Sequence, residues 1–87
     1  MGWRDVAAGS RIAVSLSMTS GVGVDCRVST VEGASELVRL GSVSMRDAQR
    51  EITEQLIREG FSPLNRWLDR GVDTPGGEEA VREFVRD

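Results

Sequence analysis

Eighty-seven residues with a net charge of −3 make one domain with one small core, because a chain of this size buries only about 60–65% of its unfolded surface. All eleven basic residues are arginine, histidine and lysine are absent, and there is a single cysteine. Those absences exclude Cys–His and Ser–His nucleophiles, zinc sites of the Cys/His type, and an internal disulfide.

In chain order, the first patterned run is "RIAVSLSM". Ile12, Val14, Leu16 and Met18 fall on one side of a two-residue repeat, and Arg11, Ala13, Ser15 and Ser17 on the other. That is the mark of a half-buried strand. "VDCRVSTV" alternates in the same way, with Val24, Cys26, Val28 and Thr30 opposite Asp25, Arg27 and Ser29. The two runs flank Thr19-Ser20-Gly21-Val22-Gly23, so the spacing predicts a hairpin over about 11–31. The glycines are turn residues in this reading and do not cradle a phosphate. A phosphate loop needs a helix N-terminus directly after it, and a P-loop needs a lysine.

"EGASELVRLG" fits a helix through Ala34, Leu37, Val38 and Gly41, or a strand through Val38 and Leu40 that leaves Leu37 on the wrong side. A third antiparallel strand at 36–41 follows naturally from the turn-like "VEGAS". The firmest element is a helix at about 45–59. Ser44 and Asp47 form a capping pair, Met45, Ala48, Ile52 and Leu56 form an apolar stripe, and Gly60 sits where the helix ends.

The last third supports two readings. Ser62-Pro63 is a helix start, and Leu64, Trp67 and Leu68 share a helical face. Ala80, Val81, Phe84 and Val85 also fall at helical spacing. Two further strands flanking the loop "VDTPGG" would instead complete a compact sheet. Both give a single small α+β domain over 1–87: an antiparallel sheet on one main amphipathic helix, with the C-terminal third either a hairpin or two short helices.

Few groups remain for chemistry. Glu51, Glu54 and Glu59 lie among arginines on the helix and read as a solvated face. Cys26 alternates with valines and reads as a buried thiol. No catalytic centre, metal or cofactor is expected. No apolar run approaches the ~20 residues of a membrane span, and the N-terminus lacks the pattern of a signal peptide. The expectation is therefore a cytoplasmic protein with no small-molecule substrate.

By elimination the chain reads as a non-enzymatic interaction or regulatory module that acts through a homodimer or another protein. The candidate contact residues are Trp67 with Arg66 and Arg70, since tryptophan and arginine are enriched at interface centres. Trp3 joins them as a partly exposed residue near a terminus, together with Ala13 and Ser15 on the small, nearly uncharged side of the first strand. That strand carries only Arg11 as a charge, and as a sheet edge it would invite pairing with another chain. The alternative is a small nucleic-acid-binding regulator that uses arginines on the sheet or helix. Acids outnumber arginines in the C-terminal half, which makes that partner a poor electrostatic match.

Overall fold

The computed structural model describes residues 2–19, 23–70 and 79–87. A short 3-10 turn, Trp3–Asp5, leads into β1 (Arg11–Thr19) and β2 (Gly23–Thr30). Then come β3 (Ser35–Val38), α1 (Met45–Arg58), β4 (Phe61–Pro63), β5 (Leu68–Arg70) and β6 (Glu79–Arg86). All strand pairs are antiparallel, in the order β3-β2-β1-β6-β4, with β5 pairing on β6 as well. One helix packs on one face of this sheet, so the class is α+β.

The hairpin has the alternation the sequence carries. Val14 pairs with Val28 and Leu16 with Cys26, and all four are buried toward the helix. The turn expected at 20–22 and the loop expected at "VDTPGG", within 71–78, lie outside the described residues. The third strand is real and short. It covers β2 only from Cys26 to Ser29.

The helix begins where the capping pair places it. The Ser44 hydroxyl accepts from the Asp47 amide at 3.2 Å. Met45, Ala48, Ile52 and Leu56 are buried against the sheet. Gly60 takes φ +94°, a conformation open to glycine at no Cβ cost. That turn delivers Phe61 into the core, where it is 1% exposed. One carboxylate fixes the approach to the helix. Glu51 accepts from the amides of Gly41 and Ser42, each at 3.0 Å, and from the Ser42 hydroxyl. The Ser42 hydroxyl and then the Gly41 amide hold its pKa below the ordinary carboxylate value.

The C-terminal third forms strands and no helix among the described residues. β4 and β5 lie end to end along one edge of β6. Leu64 donates its amide to the Glu83 carbonyl at 2.9 Å, and the Glu83 amide donates to the Asn65 side chain at 3.1 Å. The short helix signals at Ser62-Pro63 give way because the backbone groups here that reach β6 gain hydrogen-bond partners there, while Phe61 is held in the core.

Two expectations need correction. β1 is not an edge: it lies between β2 and β6, so its backbone is paired on both sides. Trp3 is not partly exposed. It is 1% exposed and packs against Phe61 with ring centroids 5.7 Å apart, below Arg4, whose guanidinium lies 4.5 Å from the indole centroid. Burial of so large an apolar ring outweighs the cost of its Nε1, which has no hydrogen-bond partner among the described residues.

Candidate interaction surface

A sheet with a helix on one side has two unlike faces. The helix side holds Ile12, Val14, Leu16, Cys26, Val28, Phe61, Ala80 and Phe84, all buried. The residues between them point the other way. No element among the described residues covers that side.

The register places the open face in rows across the strands. The middle row runs Leu37, Arg27, Ser15, Val81, Leu68, from β3 through β2, β1 and β6 to β5. One row toward the N-terminus of β1, Ser35, Ser29, Ala13 and Glu83 line up. One row the other way lie Asp25, Ser17 and Glu79. The centre is therefore small and half-buried, at Ala13, Ser15, Ser17 and Ser29. The margins carry exposed leucines, Leu37 at 67% and Leu68 at 54%. The exposed charged side chains of this face are Asp25 and Arg27 on one flank of β1, Arg11 at the start of β1 itself, and Glu79 and Glu83 on the other flank. Arg27 donates to the Ser35 hydroxyl at 3.2 Å. Among the described residues the sole ion pair is Arg4–Glu59, at 3.9 Å and away from this face.

Ala13 and Ser15 thus lie at the heart of one surface. Trp67 does not share it. It packs half-buried at the margin of the helix side, edge-on to Phe84 with centroids 6.5 Å apart. Arg82 lies 5.8 Å from the centroid of Trp67 and 5.5 Å from that of Phe84, and its Nε donates to the Asn65 carbonyl at 2.6 Å. Burial draws the Arg82 pKa down. Trp67 is thus packed in place by Phe84 and Arg82 at the sheet's margin. Arg66 is exposed, and the Arg70 backbone pairs with Glu79 while its side chain falls outside the described residues. Trp3 belongs to the core.

Leu37, Leu68, Arg27, Val81 and Glu83 are absent from the candidates read off the sequence. One signal for them was present. Leu37 breaks the alternation of its strand, and an apolar residue out of phase in a strand is an apolar residue on the wet side.

The remaining chemistry is sparse. Cys26 is 1% exposed, and burial followed by the charge of Glu51 pushes its thiol up to about 12. Among the described residues no group of three or more carboxylates and cysteines is placed to hold a metal ion, and no helix is long and apolar enough to cross a membrane. A shallow cleft between the N-terminal segment and the β2–β3 turn is lined by Asp5, Val6, Arg11, Val31 and Glu32, charges of both signs without a focus. No protein-family model matches the chain, and neither a curated protein nor a solved structure matches it.

Proposed function

We propose that this protein is a non-enzymatic interaction module, and that the open face of its sheet is the surface that binds another protein. The observation that carries this reading is the one-sided coverage of the sheet, with exposed Leu37 and Leu68 in one row across the uncovered side. Exposed aliphatic residues on both margins of a small, flat centre favour a broad protein surface over a small molecule, which takes a concave site. The absence of histidine and the burial of the single thiol support binding without catalysis. Glu79, Glu83 and Asp25 on the same face disfavour a phosphate backbone as the partner.

The test is a photo-crosslinking residue placed at Ser15 on the open face or at Arg50 on the exposed side of the helix. Discrete crosslinked products from position 15 and none from position 50 are expected in cells. Products from position 50 alone, or from neither, would remove the reading. A salt-sensitive gel shift with single- or double-stranded probes would instead favour nucleic acid.

A further inference from the structure

We infer that the segment ahead of β1, residues 2–8, is a strap that swings off the end of the core and back as a unit while the sheet and helix stay folded. Its opening is independent of what the open face binds. At its base the strap is firmly tied. The Gly9 amide donates to the Arg86 carbonyl and the Arg86 amide to the Ser10 carbonyl, both at 2.8 Å, which extends the β1–β6 ladder. Beyond that base, among the described residues, no backbone group of 2–8 bonds to the sheet or the helix. The Asp5 amide donates to the Gly2 carbonyl at 3.1 Å and the Ser10 amide to the Ala7 carbonyl at 3.0 Å, so both bonds are local.

Two side chains and one ion pair hold the strap down. Trp3 packs on Phe61, Val6 lies partly buried against the same core, and Arg4 reaches Glu59 at the end of α1 at 3.9 Å. The two partners of that pair are 49% and 41% exposed, and a pair so wet adds little. The stacking of Arg4 on Trp3 is internal to the strap and does not tie it to the body.

The surroundings leave room for movement. Between base and indole stands the turn Ala7–Ser10, with Gly9 at φ +86° and nothing within 4 Å of where its Cβ would lie. A cleft of about 250 Å³ lies between Gly2 and Trp3 on one side and Thr30, Ser35 and Glu36 on the other, so the strap is not flush with β2 and β3. Burial of the ring favours the closed strap. Its Nε1 opposes this, because it has no partner among the described residues and water would supply one. The closed state thus hangs on one ring whose burial is partly offset, whereas β1 is paired along both sides. Such a unit opens at lower free energy than the core. Opening bares Phe61, which the closed strap keeps 1% exposed.

Hydrogen exchange of the full chain, followed by NMR, tests the strap. Trp67→Phe identifies the Trp3 indole signal, and that proton has no hydrogen bond to slow it, so its exchange reports burial alone. Its protection should be at least a hundredfold below that of the Val14 and Leu16 amides. Below the unfolding transition its rate should change little with urea, since strap opening exposes little surface, while the Val14 and Leu16 rates climb. Arg50→Gly, on the exposed side of the helix, weakens the body and leaves the strap untouched. It should speed Val14 and Leu16 about threefold to fivefold and leave the Trp3 indole unchanged. An indole protected as strongly as Leu16, or one that accelerates in step with it in urea or in Arg50→Gly, would show that Trp3 is released only by global unfolding and would overturn the inference. An indole with no protection at all would overturn it from the other side, since no closed strap would then exist.

Discussion

The two faces of one sheet share strands, register and hydrogen bonds, yet they follow different rules. In β1 the residues that point to the helix, Ile12, Val14 and Leu16, are at most 2% exposed. Their neighbours Ala13, Ser15 and Ser17 are half-buried with no element above them. The helix side is therefore constrained by volume, and the open side, in the function proposed above, by the shape of a partner. Stability should reside almost wholly on one face and recognition on the other.

The largest effect expected from breaking this division is at Phe84, where β6 meets Ile12 in register and Trp67 packs edge-on. Phe84→Ala should lower stability by about 3–5 kcal/mol in urea unfolding. A loss below about 1 kcal/mol would mean that the helix side is not the core.

Cys26 comes next. Its folded pKa of about 12 lies above the ~8.5 of a free thiol in the unfolded chain. Above the unfolded value the unfolded state therefore holds fewer protons than the folded one, and stability declines as pH rises from about 9 toward 12. The urea midpoint should fall over that range in the original chain and fall less in Cys26→Ala. At pH 8 the native thiol should react with iodoacetamide at least a hundredfold more slowly than the unfolded one.

Glu51→Gln is a smaller perturbation, at a point that belongs to neither face. It removes a carboxylate that accepts from Gly41 and Ser42, at a cost of about 1 kcal/mol near neutral pH. Because the folded pKa is lowered, the carboxylate's contribution is present above the ordinary carboxylate range and is lost as pH falls through the folded value. The gap between the two proteins should be widest near neutral pH and should close as pH falls below the ordinary carboxylate range.

The smallest effect on stability sharpens the comparison most. Arg27→Ser, on the open face, should change the free energy of unfolding of the monomer by no more than about 0.5 kcal/mol. A loss of 2 kcal/mol there would show that the open side also holds the fold together.

The hairpin and the helix were legible because each carries its own period and its own punctuation, namely the alternation of 12–18 and 24–30 and the Ser44–Asp47 cap. The C-terminal strands were not legible in the same way. β4 and β5 are three residues each, too short to show a period, and they are strands because β6 is beside them. The central position of β1 likewise depends on a partner roughly seventy residues away. Of the surface, Ala13 and Ser15 could be found from alternation within one strand. Leu68, Val81 and Glu83 needed the register between strands, which no local pattern encodes. Trp3 was misread because its position near a terminus said nothing of the core it closes.

The pairing of β1 with β6 has a kinetic consequence. The β1–β2–β3 meander and α1 are built from near neighbours, and such elements form in microseconds. The ladder from Arg11–Val85 to Ser17–Glu79 closes only when a strand from the far end of the chain enters the middle of the sheet, and contacts of that sequence separation slow folding. Until then one side of β1 is an open row of amides and carbonyls, with Ile12, Val14 and Leu16 beside it. During synthesis that row stays unpaired until residues 79–86 have left the ribosome. The same sequence that makes a quiet centre for the finished sheet is, for that interval, the segment most exposed to pairing with another nascent chain.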